Sequence, residues 1–292
     1  MEDAQAKLAE MRLMRVNPLY FQSVNPAASR TLLLIHGAFS SHHEWDLVCR
    51  TAHLASYHLL IPDLPGHGRS TSSTIPFNLP DTAAFLAGLV TKHAKNGKAD
   101  IVGMSLGGYT AIFMAQKYPD IIGEAGLFVS GCARPWPARG TFTGWASGVM
   151  LFLSGWITTH VPKSWWLWIC GKMGLEVVDE LYLDMQYASG YRLGKILVDN
   201  LAEDKSRMEK NWEGLCELTT VRTCMVAGAS GDSVQDTEIK GRCLIKGNPE
   251  SKAFKVDGKV HAWDLQDPDL FARGIRAWME RGELPDEYIR LT

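Results

Sequence analysis

The chain has 292 residues, 46% hydrophobic and 21% charged, with a net charge of −2, enough for one large domain or a domain carrying a substantial insertion. This balance excludes a disordered chain and gives no basic footprint for nucleic acid, so no nucleic-acid partner is expected.

In chain order, the N-terminal "MEDAQAKLAEMRLMRV" carries acids early and has no continuous apolar core, which does not fit a secretory leader. An intracellular, cytoplasmic location is expected. "TLLLIHG" (Thr31 to Gly37) and "HLLIPDLPG" (His58 to Gly66) are apolar on both faces and suit strands covered on two sides. Helical spacing follows each, at about 41 to 56 and, with Asp81 able to cap, at about 81 to 96. "KADIVGMS" predicts a strand, Leu106 to about Tyr118 a helix, and Ala125 to Gly131 another buried strand.

The alternation stops between Cys132 and about Leu218, where no clear strand is visible. This stretch opens on the Pro- and Gly-rich "CARPWPARG" and ends near the mixed-charge "AEDKSRMEK". Strands resume at Thr219 to Gly228 and Lys252 to Gly258, and an amphipathic helix from about Asp267 to Arg281 closes the pattern. The order predicts an α/β fold with a mostly parallel, doubly wound sheet, a core formed by 1–131 and 219–292, and a helical insertion over 132–218.

Two features of the insertion bear on partners. Gly144 to Val161 has no charged residue. A buried helix pair broken near Ser154-Gly155 is expected there, with membrane contact disfavoured, although the same segment would serve equally as a homodimer surface. Six of the ten tryptophans, Trp136, Trp145, Trp156, Trp165, Trp166 and Trp168, lie in its first part. They are expected both to build a small core and to turn two or three rings toward a hydrophobic small-molecule substrate, with Trp136 and Trp145 named for that role.

Gly103-Met104-Ser105-Leu106-Gly107 is a G-x-S-x-G pentapeptide at a strand-to-helix junction, the context in which such a serine is presented above a sheet edge. A phosphate cradle is excluded by the absence of a following Lys-Ser/Thr pair and of G-x-G-x-x-G spacing. The serine needs a base, and the base an orienting acid. His261, between the last strand and the last helix, is the candidate base. Asp232 is the candidate acid, with Asp236 as the alternative. Leu106 and Ala38 are expected to supply the oxyanion N–H groups, with Phe39 the alternative second donor and a substrate contact. His36 is expected to shape its own turn. The cysteines Cys49, Cys132, Cys170, Cys216, Cys224 and Cys243 show no CxxC or CxxH spacing; free thiols, no metal site and no cofactor are expected.

Together "HGAF", "DLPGHGRS", "GMSLGG", "GASGD" and "VHAW" resemble the capped members of the α/β-hydrolase fold superfamily, from about residue 12 to the end, and the "HAWDLQDPDLFARGIRAW" ending is similar to fungal members. The resemblance implies a helical cap inserted after the sixth strand and a scaffolding role for Asp63 and His67. It also implies a departure, because many relatives carry the acid at the position held here by Gly231. A serine hydrolase acting on an ester, thioester or lactone is the expected function. A C–C bond hydrolase, lyase or acyltransferase using the same triad, or a triad-retaining receptor, are the alternatives.

Overall fold

The computed structural model describes residues 19–72, 77–134, 142–188, 216 and 219–292. Among the described residues, eight strands form one sheet in the order β1-β3-β2-β4-β5-β6-β7-β8. They span Phe21–Val24 (β1), Thr31–Ile35 (β2), His58–Pro62 (β3), Ala99–Met104 (β4), Ile122–Ser130 (β5), Thr223–Gly228 (β6), Lys252–Val256 (β7) and Tyr288–Arg290 (β8). The six inner strands run parallel, while β1 and β8 are antiparallel edges.

The helices are α1 (Asp46–Arg50), α2 (Leu79–His93), α3 (Leu106–Lys117), α4 (Phe142–His160), α5 (Lys163–Lys172), α6 (Asp179–Ala188), α7 (Val234–Gly247), α8 (Trp263–Gln266) and α9 (Pro268–Met279). Every residue of β2, β3, β4 and β6 is buried, because helices cover both faces. Leu33 and Ile35 pack with Phe85 and Leu89 of α2 and Ile112 of α3. Leu32 and Leu34 turn the other way, toward Val48 of α1 and Phe271 and Ile275 of α9. The all-apolar run thus feeds two cores at once.

Some expectations are corrected. The helix expected over 41–56 is a 3-10 turn (His42–Trp45), the short α1 and a second 3-10 turn (Ala52–Leu54). Thr51 breaks it, with extended backbone and its hydroxyl donating to the Val48 carbonyl at 2.7 Å. The α2 cap is Asn78 rather than Asp81: its side chain accepts from the Asp81 N–H at 2.8 Å, so the helix starts earlier.

Between β5 and β6 the described residues hold α4, α5 and α6 and no strand. The insertion leaves after the fifth described strand. No break occurs at Ser154-Gly155: α4 runs through, the Ser154 hydroxyl donating to the Met150 carbonyl at 2.8 Å inside the helix. Nor is α4 largely buried, since Phe142 and Trp145 are 80% and 65% exposed. Among the described residues no helix is long and apolar enough to cross a membrane. Trp166 alone of the five described insertion tryptophans is buried, in a small cluster with Cys170 and Tyr182.

Candidate active site

The loops leaving the parallel strands at their carboxyl ends carry the chemistry-bearing side chains. Ser105 links β4 to α3 with φ 50° and ψ −113°, a conformation that costs a residue with a side chain about 1–3 kcal/mol. Its N–H donates to the Ser130 carbonyl at 2.8 Å, fixing the turn against β5. The glycine two residues on permits it: a Cβ at Gly107 would lie 2.0 Å from the Ile35 carbonyl oxygen. The first turn of α3 therefore packs directly on the end of β2.

His261 Nε2 lies 2.9 Å from Ser105 Oγ, and its Nδ1 lies 2.5 Å from Asp232 Oδ1. Asp232 Oδ2 accepts from the Gly228 N–H at 2.9 Å, which fixes the carboxylate plane. Because the carboxylate can only accept, Nδ1 carries the proton and Nε2 presents a lone pair to the serine. Burial alone would lower the imidazole pKa, but the hydrogen bond and charge of Asp232 outweigh it and hold His261 above 6.5. Asp236 is elsewhere, in the first turn of α7, where its N–H donates to the Ser233 hydroxyl.

The histidine loop is tied down at several points. The Val260 N–H donates to Gln266 Oε1 at 2.9 Å, and the indole N–H of the fully buried Trp263 donates to Ser130 Oγ at 2.9 Å. On the opposite side, His36 Nε2 accepts from the Leu64 N–H at 3.0 Å and its Nδ1 lies 2.7 Å from the Gly37 carbonyl, so the ring braces the Gly37–Phe39 turn. Asp63 accepts from the backbone of His42 and Arg69, at 2.6 and 2.8 Å. It is scaffold for the loop after β3.

Ala38, Phe39, Ser105, Leu106, Asp232 and His261 all line one cavity of about 510 Å³. Phe39 enters it with a left-handed backbone, φ 61°. The N–H groups of Ala38 and Leu106 donate to no acceptor among the described residues, and Leu106 stands in the first turn of α3. Trp136 lies outside the described residues. Trp145 is corrected: it points to solvent beside Phe142, and α4 meets the cavity through Met150, Leu151 and Ser154. Nine residues, two and a half helical turns, separate Trp145 from Ser154 and set them on opposite faces. None of the described insertion tryptophans lines the cavity.

The sequence reading missed Tyr109 and Arg134, which also line it, the Tyr109 hydroxyl donating to the Arg134 carbonyl. Tyr109 was within reach of inference, since it lies one helical turn beyond Ser105. Missed too was a pair of buried acids beneath the site. Both oxygens of Glu44 lie within 3.2 Å of the Gly37 nitrogen, while neither oxygen of Asp264 has a hydrogen-bond partner among the described residues. Burial raises both, Glu44 further by the charge of Asp264, and Asp264 is pushed up to about 7.

The family model described as "Alpha/beta hydrolase family" matches residues 32–235. An "AB hydrolase superfamily protein" of Gibberella zeae is 29% identical over 286 residues, covering 94% of this chain and 88% of its own length. A pimeloyl-(acyl-carrier protein) methyl ester esterase of Neisseria meningitidis is 37% identical over 97 residues, 32% of this chain and 34% of that one. Among solved structures, an esterase from Thermogutta terrifontis superposes with a TM-score of 0.64 at 21% identity, covering 90% of this chain and 93% of that one.

Proposed function

The chain belongs to the alpha/beta hydrolase family and is an enzyme of the hydrolase type, and on that premise we propose that it is a serine hydrolase cleaving an ester, thioester or lactone of a hydrophobic small molecule. The observation that carries this reading is the unbroken hydrogen-bonded line from Ser105 Oγ through His261 to Asp232, at 2.9 and 2.5 Å, on the wall of the cavity. In the proposed reaction Ser105 Oγ attacks the substrate carbonyl carbon as its proton passes to His261 Nε2. The oxyanion that forms is held by the N–H groups of Leu106 and Ala38. Collapse of this intermediate expels the alcohol or thiol, which takes the proton from His261. A water, deprotonated by the same nitrogen, then releases the acid and regenerates the serine.

The cavity walls support the substrate class. Phe39, Tyr109, Met150 and Leu151 offer an apolar lining, so the acyl or alcohol part is read as hydrophobic. The test is hydrolysis of a graded series of esters and lactones by the wild type and Ser105→Ala in parallel, with fluorophosphonate labelling located by mass on the peptide that carries Ser105. Loss of about 10⁴-fold or more in kcat with the fold intact is expected. Hydrolysis by the Ser105→Ala protein at near wild-type rate would refute the proposal.

A further inference from the structure

Away from the cavity, the His42–Trp45 turn and α6 bring together two imidazoles and a carboxylate. One ligand atom from each of His42, His43 and Asp184 lies within 4.8 Å of the other two. The Nδ1 atom of each ring is already committed to a carboxylate. His42 Nδ1 donates to Asp63 Oδ1 at 2.9 Å, and His43 Nδ1 to Asp46 Oδ2 at 2.8 Å. With the ring proton fixed on Nδ1, each Nε2 is left as a lone pair. Metal-binding histidines are held in this way, a second carboxylate orienting the ring and raising its basicity.

The third group is a carboxylate with one oxygen lacking a donor among the described residues. Asp184 Oδ2 is buried, has no hydrogen-bond partner among the described residues, and stands 4.0 Å from His43 Nε2, too far for a hydrogen bond. A buried carboxylate oxygen with no hydrogen-bond donor is unfavourable by itself and favourable beside a positive ion. Asp46, Asp63 and, one turn earlier on α6, Glu180 add negative charge around it. His42 and Asp63 are 2% and 0% exposed, so half of the arrangement is rigid and already desolvated.

We propose that His42, His43 and Asp184 form a binding site for one divalent transition-metal ion of the Zn²⁺ type, with water completing the coordination. Two imidazole nitrogens and one carboxylate oxygen select such an ion over Mg²⁺ or Ca²⁺, which require oxygen-rich sets. Metal–ligand bonds of about 2.0–2.2 Å in a tetrahedron place neighbouring ligand atoms roughly 3.3–3.6 Å apart. The 4.0 Å gap between His43 and Asp184 therefore closes by under about 1 Å when the ion binds, and no pair in the cluster, all within 4.8 Å, closes by more than about 1.5 Å. His42 and His43 follow the Gly37–Phe39 turn, and Asp184 belongs to the inserted helices. The ion would thus clasp the insertion to the loop beside Ser105 without touching the reacting atoms.

The test uses the full chain, freed of metal with a chelator and titrated with ZnSO₄ by calorimetry and with CoCl₂ by visible absorption. Expected are one Zn²⁺ per chain with micromolar or tighter Kd, a Co²⁺ band of a four- or five-coordinate nitrogen/oxygen site, and a rise in Tm on adding Zn²⁺. Asp184→Asn and His43→Ala should each weaken Zn²⁺ binding by about 10–100-fold and abolish the Tm rise. His261→Ala should bind Zn²⁺ as the wild type does, separating this site from the catalytic imidazole. Asp184→Asn is isosteric at a partly exposed position, and its metal-free far-UV spectrum checks the fold. Binding below about a tenth of an equivalent, or equal affinity in the wild type and both site variants, would overturn the proposal.

Discussion

Replacing Asp232 by Asn probes the candidate site at the point where two acids compete in the sequence. In the structure Oδ2 of Asp232 accepts from the Gly228 N–H, and Oδ1 accepts from His261 Nδ1. The Asn oxygen should keep the Gly228 bond, which turns the new NH₂ group toward His261. Two donors cannot face each other, so the ring must move its proton to Nε2, and Nε2 then donates to Ser105 Oγ rather than accepting from it. A base that cannot accept the serine proton loses its function, and a fall in kcat of about 10⁴-fold is expected. The residual rate should also change its pH dependence. Asp232 holds His261 above 6.5, and only the neutral ring is a base, so kcat/KM of the wild type should rise with pH through a midpoint above 6.5. In Asp232→Asn that midpoint should move down. Asp236→Asn should leave both unchanged, because Asp236 sits in the first turn of α7 and is worth at most about 1 kcal/mol to that helix. A pH-rate series on the three proteins with one p-nitrophenyl ester decides it. An Asp232→Asn rate within tenfold of wild type, or an equal loss in Asp236→Asn, would refute the assignment.

Gly107→Ala should lower kcat/KM by about 10²-fold despite the roughly 1 kcal/mol that Ala gains in a helix, because its methyl would sit 2.0 Å from the Ile35 carbonyl oxygen and push α3 off β2; ester kinetics together with Tm would show both effects. Trp145→Ala should change kcat/KM by less than about twofold, since the ring faces solvent, whereas Leu151→Trp should narrow the cavity and selectively raise KM for the bulkiest esters by about tenfold. Asp264 holds its proton more tightly folded than unfolded, so the stability this confers is complete below its ordinary pKa of 3.8 and is lost as pH rises through about 7. Asp264→Asn should accordingly flatten the decline of Tm between pH 4 and pH 7.5.

The strand-to-helix turn that holds the candidate serine was legible because its determinants are contiguous. An apolar strand, a glycine on either side of Ser105 and a helix all fall within residues 99–117, and chain order then pointed to Asp232 and His261. The edges were less legible. β1 and β8 are four and three residues long, with exposed residues in each, so neither presents an apolar run. The tryptophan-rich insertion misled for another reason. Composition placed aromatic rings in a helix, but only the packing of α4 against the cavity fixes which side of it faces inward, and that side carries Met150, Leu151 and Ser154. The His42, His43 and Asp184 cluster has no local pattern at all, since adjacent histidines meet an acid contributed by a distant helix.

The candidate acid stands at position 232 rather than 231 because of how two loops pack. A side chain at Gly231 would bring its Cβ within 2.3 Å of the His261 backbone nitrogen, so the loops after β6 and β7 cross there at backbone contact. No carboxylate can be mounted at that position while the crossing is kept. One residue on, the Asp232 N–H donates to the Gly228 carbonyl at 2.8 Å and the chain turns back, which aims the Asp232 side chain at His261 Nδ1. The tightness of that turn thus brings a carboxylate mounted one position past Gly231 to the imidazole nitrogen of His261. The same crossing fixes the backbone of His261, whose Nε2 lies 2.9 Å from Ser105 Oγ.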